Sequence, residues 1–397
     1  MAQQILKSNQ SIRRVIEVIR ANREVSRRQI AAETGLSTPS VTRLVNELVH
    51  ADLLLVDESA VAEGAGPGRP ASAVRINPNC GCVIGVDVGE HFIQAALGDM
   101  NYQIHAKAQI STKAEQGGDV TCGNIVKVVE EVIASYDSQS GGTPALRAIT
   151  VGVPGTIDPG SSTVVKAPMI KDWSDYDLKG RLKDRLPRVP LRIENDINAA
   201  AIGEYSVGVA QGHDNFVFAS MRRGIGAGIF IDGKPYRGNA GFAGEMGKMV
   251  WDPEFRFSSA SGLGHLELIC GEDAVASHVE RNAIDLAGED SKRPTIRSLS
   301  KAAADGNSEA VKILNSILEH FGLAVANVTS LLDPEVIVLG GDIHFAMDMA
   351  VQRLNETIGK LVPSPPQVVG STLGDQAVLN GTLYLAHSDA CDRFLVN

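Results

Sequence analysis

The apolar pattern of this chain changes period near Cys82 and then runs through one order of segments twice, which a single ordinary core cannot accommodate. From Cys82, "CVIGVDVG", "FIQAALGD" and "YQIHAKAQI" read as successive strands joined by short turns. Ile125, Val128, Val129 and Val132 then mark a helix, after which "ALRAITVGVPG" and "VPLRIEND" read as buried strands ending in glycine or acidic residues, where α/β sheets place their ligands. The order returns in "NFVFASM", in "GAGIFIDGKPY" with its Asp232-Gly233 hairpin turn, in helices and in "PEVIVLGGD". Two α/β lobes facing each other across a cleft are the economical solution, and the cleft is the expected binding site.

Before Cys82 the period is helical. Ile12, Val15, Ile16 and Ile19 predict a first helix over about Ser11 to Ala21. A second opens in "SRRQIAAETG", where Ser26 can cap, Gln29 stands three residues on as in a capping box, and Gly35 suits the stop. In "LSTPSVTRLVNELVH", Ser37 or Thr38 can cap, Pro39 fits the first turn, and Val41, Leu44, Val45 and Leu48 form an inward stripe. Ser40, Thr42, Arg43 and Asn46 are left facing out. Two short helices around a glycine turn match a helix-turn-helix whose second helix enters the major groove; a small helical protein-interaction domain is the alternative. "DLLLVDESAVAEGAGPGRPASAVRINP" follows as two short strands around a Gly/Pro loop, a wing from whose tip Arg69 could reach a phosphate or the minor groove. The candidate DNA contacts are therefore Arg27, Ser37, Thr38, Ser40, Thr42, Arg43, Asn46 and Arg69.

Charge is divided along the same line. Residues 1–75 hold 10 Lys/Arg against 8 Asp/Glu, and the remainder holds 27 against 39. An acidic body tends to repel nucleic acid, whereas the N-terminal module need not. Its 397 residues, 44% of them hydrophobic, suggest two or three compact units of a soluble protein. The N-terminal stretch MAQQILKSNQ lacks a basic segment followed by an apolar one, and no run of about 18 apolar residues occurs, so a cytoplasmic location without membrane contact is expected. Cys80, Cys82, Cys122, Cys270 and Cys391 are odd in number and lack CxxC spacing, which indicates buried thiols rather than a disulfide framework or a zinc knuckle.

"IENDINAAAIGE", "GAGIFIDGKPYRGNAGFAGEMG", "GLGHLE" and "DPEVIVLGGD", in this order, resemble the ROK family of repressors, open reading frames and sugar kinases. The likeness runs from Ser8 to the end, since many members carry an N-terminal winged helix-turn-helix with a "GRP" wing. It implies an α/β two-lobed actin-like ATPase body, of the ROK sugar kinase type, preceded by an α+β winged helix-turn-helix domain. The corresponding divisions are 1–78 for the DNA-binding domain, 79–196 with 380–397 for the first lobe, and 197–379 for the second.

The resemblance also assigns a site. Asn195 and Asp196 fall where the family grips sugar hydroxyls and where its kinases use the Asp as base, and Glu245 and Glu267 match two further carboxylates of the sugar pocket. Such groups suit polyols because each offers several hydrogen-bonding atoms. The positions of the family's structural zinc ligands fall on Lys248, Ser258, Ala260 and His265, a set that cannot complete a tetrahedral N/S site, so no metal is expected. On the nucleotide side the family's DxGGT loop reads "DVGEH", where Glu90 and His91 replace Gly-Thr, and a second Gly-Thr becomes Arg222-Arg223. A carboxylate beside a triphosphate is repulsive, so no nucleotide cofactor is expected. Gly224, Gly226 and Gly228 suit strand packing at least as well as phosphate binding. Arg222 and Arg223, with Lys248, could instead hold the phosphate of a pre-phosphorylated sugar, or be exposed arginines. The reading is a sugar-responsive regulator, a repressor rather than an activator, with operator DNA and a sugar or sugar phosphate as partners, acting as a homodimer or homotetramer. The rival is an ATP-dependent sugar kinase that retains a DNA-binding appendage, with Asp196 as its base. A regulator whose effector is a partner protein would leave no trace in the sequence.

Overall fold

The computed structural model describes residues 2–57, 72–140, 142, 145–167, 169–256, 263–281 and 293–393. Arg69, Ser258 and Ala260 lie outside the described residues. The N-terminal unit comprises α1 (Ala2–Asn22), β1 (Val25–Ser26), α2 (Arg27–Thr34), α3 (Thr38–His50), β2 (Leu54–Asp57) and β3 (Ala73–Ile76), with strand order β1-β3-β2. α1 begins well before Ser11, because Gln3, Gln4, Leu6 and Lys7 are good helix formers and extend the helix ahead of the apolar stripe. Ser26 accepts the Gln29 N–H (3.2 Å), and Gly35 stops α2 at φ +70°. The expected capping box is only half built: the Gln29 amide donates to Asn22 (3.1 Å) and Glu33 (2.9 Å) instead of returning to Ser26. At α3, Ser37 rather than Thr38 is the cap.

In the first lobe β4 (Cys82–Val88), β5 (Phe92–Asp99) and β6 (Ile104–Ser111) are antiparallel, and α4 (Gly118–Ser140) crosses to β7 (Leu146–Val153), parallel to β4. A small flap of β8 (Thr156–Ile157), β9 (Val164–Lys166) and β10 (Ser174–Tyr176), then α5 (Leu178–Lys183), precede β11 (Leu191–Asn195). The sheet order is β11-β7-β4-β5-β6. α6 (Asp196–Val207) leads into the second lobe, where β12 (Phe216–Met221), β13 (Ile225–Ile231) and β14 (Lys234–Tyr236) repeat the antiparallel trio. α7 (His265–Cys270), α8 (Glu272–Arg281), α9 (Ile296–Ala304) and α10 (Ser308–Leu332) lie between β14 and β15 (Val336–Gly341). After α11 (Met347–Leu361), β16 (Gln367–Gly370) completes the order β14-β13-β12-β15-β16, with β15 parallel to both neighbours. Order and direction match the first sheet strand for strand, so the duplication extends to topology. α12 (Ala377–Arg393) follows.

Burial of aliphatic side chains holds each lobe. Ile84, Val86, Val129 and Val151 belong to the first core, and Ile337, Leu339, Leu318 and Phe321 to the second; each such side chain contributes about 1.5–3 kcal/mol. The helices that follow the last strands are exchanged between lobes. α6 leaves the first sheet yet packs on β13, while α12 leaves the second sheet yet packs on β4 and β7. The two helices also lie on each other, so closely that a Cβ on Gly381 would overlap the Ala199 carbonyl oxygen. The far side of α12 joins the N-terminal unit: Leu379, Leu383, Ala386 and Ala390 share one core with Ile12, Ile16 and Ile19 of α1. The cysteines are buried thiols, with no disulfide among the described residues. Among those residues no helix is long and apolar enough to cross a membrane.

Candidate functional site

β11 gives way to α6 at "END", and the junction fixes the first two candidate residues. Asn195 is the N-cap: its Oδ1 accepts the Asn198 N–H (2.9 Å), and its Nδ2 donates to the Gly155 carbonyl (2.9 Å) and Asp196 Oδ1 (3.2 Å). Its side chain is thus engaged in shaping the turn. Asp196 Oδ1 also accepts the Ile197 N–H (2.9 Å), and Oδ2 makes no hydrogen bond to another described side chain. Burial raises the Asp196 pKa, with Arg222 acting against it.

The second lobe supplies the other wall. Gly244, at φ +88°, accepts the Ala227 N–H (2.7 Å) in a contact too tight for a Cβ, and so pins the loop to β13 directly before Glu245. Glu245 Oε1 accepts from Thr156 Oγ1 of the first lobe (3.4 Å). Burial raises its pKa; Lys248 and Thr156 oppose the rise, whereas Glu267 and Asp196 add to it, so the three carboxylates lie in one electrostatic field. Glu267, in α7 and 8% exposed, receives Lys248 Nζ (2.6 Å) and the Gly264 N–H (2.7 Å) on Oε2. His265 Nδ1 accepts the Trp251 N–H (3.2 Å), and its ring stacks on Phe255 (4.7 Å). Hydrogen bonding and stacking therefore hold this loop, and among the described residues no group of His, Cys, Asp or Glu is arranged for a metal ion.

Across the cleft mouth, Glu90 in the β4–β5 turn pairs with Arg223 in the β12–β13 turn. The β4–β5 and β12–β13 turns are thus clasped to each other by the chain's own charges. Behind them lies Arg222. Burial works against its charge, yet Asp87, Asp342, Asp196 and Asp375 hold its pKa above the usual value. Asp87 is buried with Oδ1 unpartnered; burial pushes it up to about 7, with Arg222 opposing. In "GGD", Gly341 stands at φ +97° against the Met221 backbone, and the Asp342 N–H donates to the Met221 carbonyl (2.8 Å), a packing role.

On the N-terminal unit, Ser37, Thr38, Thr42, Arg43 and Asn46 are exposed and Ser40 is half-buried. Ser37 and Ser40 hydroxyls are 2.8 Å apart, and Arg43 pairs with Glu47 (2.8 Å). Arg27 donates to Ser72 (3.0 Å) and Asn46 (3.3 Å), bracing α2 against the wing and α3. Three contributors escaped the sequence reading. Thr156 has no motif beyond its place after "VPG", and Asp375 approaches Arg222 from a distant segment. Arg237 grips the buried Glu194 through Nη2 (2.5 Å), tying the second lobe to the residue before Asn195. An acid inside an apolar strand demands such a partner, which was the available signal.

Comparison with known proteins follows these divisions. Residues 83–389 match the ROK family, and residues 8–54 match the winged helix-turn-helix DNA-binding family. The xylose repressor of Bacillus subtilis (strain 168) is 28% identical over 377 residues, covering 94% of this chain and 93% of its own length. The DNA-binding transcriptional dual regulator NagC of Escherichia coli (strain K12) is 27% identical over 340 residues, with coverage of 84% and 80%. Among solved structures, a ROK family transcriptional regulator described as a homolog of the E. coli MLC protein matches with TM-score 0.80 at 24% identity, over 99% of this chain and 98% of its own. A ROK family glucokinase from Streptomyces griseus, solved with glucose and AMPPNP, matches with TM-score 0.64 at 28% identity, over 77% of this chain and 99% of its own.

Proposed function

The chain belongs to the ROK family, and on that footing we propose that it is a sugar-responsive transcriptional repressor whose body senses a carbohydrate and whose winged helix-turn-helix binds operator DNA. One observation carries the reading. Asp196, Glu245 and Glu267 share a field where hydroxyls can be gripped, while the phosphate-facing turns are already closed on each other by Glu90 and Arg223. In this reading the Glu90–Arg223 pair does the work of joining the two turns, and no nucleotide is required for it. A sugar that prefers one closure state would shift the population of N-terminal arrangements and with it the affinity for DNA.

A neutral sugar suits the cleft better than a phosphorylated one. A phosphate reaching Arg223 must displace Glu90, and one reaching Arg222 must enter the field of four carboxylates. In this proposal Lys248 orients Glu267, and Asn195 holds the turn that presents Asp196. On DNA, α3 lies in the major groove with Ser40, Thr42, Arg43 and Asn46 toward the bases, Ser37 and Thr38 near the backbone, Arg27 as a brace, and Arg69 at the wing.

The kinase reading rests on Asp196, which would be the catalytic base of a kinase. A thermal-shift panel of sugars and their 6-phosphates, with and without Mg-ATP, run beside a coupled phosphorylation assay, separates the two. The repressor reading expects a sugar to raise the melting temperature equally with and without ATP, because only ligands of the folded form stabilise it. Turnover abolished by Asp196→Asn would establish the kinase instead. Equal affinity for a sugar and its 6-phosphate would remove Arg222 and Arg223 from any role in phosphate recognition.

A further inference from the structure

We propose that α12 is the relay that carries the state of the cleft to the DNA-binding unit, an inference that rests on the sugar-sensing reading and names its route. The cleft end of the relay is double. Arg192 of β11, three residues before Asn195, donates through Nε to Asp389 of α12 (2.8 Å). α6, whose first residue is Asp196, meets α12 where Gly203 and Gly381 let the two backbones touch; a Cβ on either would overlap a carbonyl oxygen of the other helix. With no side chain between them, a shift of α6 cannot be absorbed locally and must move α12.

The DNA end is equally specific. Asp392 holds Arg13 of α1 through both carboxylate oxygens (3.2 and 2.5 Å), and the Tyr384 hydroxyl donates to Glu17 (3.2 Å). Between them His387 is buried edge-on against Tyr102 at 4.2 Å, and Tyr102 in turn accepts from Arg20 of α1 (2.5 Å). Neither His387 nitrogen has a partner, nor has Arg20 Nη2. A buried seam that gathers three unsatisfied polar nitrogens between α12 and α1 is a junction that can exist in more than one packing. The Arg192 link and the glycine contact on the cleft side, and the Asp392 and Tyr384 links to α1 on the other, alternate along one helix and connect site and reader without passing through the flap or α10.

The test is amide hydrogen exchange on the full chain with D-xylose, D-glucose or N-acetylglucosamine as probe, beside direct measurement of sugar affinity. In the native sequence, saturating sugar is expected to change protection of α1 amides from Ile12 to Ile19 by about fivefold or more. In the double variant Tyr384→Phe with Asp392→Asn, sugar affinity stays within about twofold and α6 still responds, but the α1 response is lost. Normal sugar binding with an undiminished α1 response in that variant overturns the relay. Should none of the three sugars bind, the functional reading suffers, and Asp196→Asn tests the relay without a ligand. Altered protection in both α12 and α1 supports it, and unaltered protection in either refutes it.

Discussion

Asp87 shows what burial does to a carboxylate that is only partly paired. It is buried, one oxygen lacks a partner, and its pKa stands at about 7 instead of 3.8. The folded chain therefore keeps a proton that the unfolded chain has released, so this residue's contribution is complete below pH about 4 and is lost as pH rises through about 7. Asp87→Asn is expected to raise stability at pH 8 by about 1–3 kcal/mol in urea unfolding and to leave it unchanged near pH 4. A variant no more stable than the native chain at pH 8 would contradict the assignment. His387 has the opposite sign. Burial lowers its pKa well below the ordinary 6.5, so its contribution is complete above that value and declines as falling pH protonates the unfolded chain first. Replacement His387→Leu should flatten the stability profile between pH 6.5 and 5, where the native slope from this group approaches about 1.4 kcal/mol per pH unit. At this scale Asp196, Glu245 and Glu267 stood out in the sequence because each lies inside a motif. Thr156, Arg237 and Asp375 were not, because their chemistry arises only when distant segments meet.

Elements were legible to the extent that they have two different faces. α3 has an apolar stripe, a proline in the first turn and a serine cap, and its presence follows from those alone. Ser37→Ala should cost about 1 kcal/mol, measured by urea denaturation of the full chain, whereas Thr38→Ala should cost much less because Thr38 makes no cap. α12 is the contrary case. Covered by β4 and β7, by α6 and by α1, it has no continuous solvent face and hence no period to read. Its glycine is the better clue in hindsight: Gly381 inside a helix is unfavourable unless a backbone lies against it. Gly381→Ala is expected to destabilise the chain by about 1–3 kcal/mol or more, with loss of sugar response, while Gly359→Ala on the exposed face of α11 should be neutral or slightly stabilising. Similar costs for the two would remove the case for a tight α6–α12 crossing.

At the scale of the whole molecule, the duplicated lobes, the exchanged helices and the charge division form one device. The acidic body senses and the N-terminal unit reads DNA, with α12 against both. A helix-turn-helix that recognises a roughly palindromic operator needs two copies at fixed spacing, so light scattering at micromolar concentration should return a dimer or tetramer. A strict monomer would contradict population-shift control by spacing. If carbohydrate alone sets DNA affinity, nucleotide must be without effect on it. The most direct test is fluorescence anisotropy on a duplex selected by this chain from a random pool, at one fixed salt concentration, titrated with sugar in the presence and absence of Mg-ATP. A sugar-dependent change in DNA affinity of about fivefold or more is expected, the same with and without Mg-ATP. A change that appears only when Mg-ATP is present would contradict this expectation.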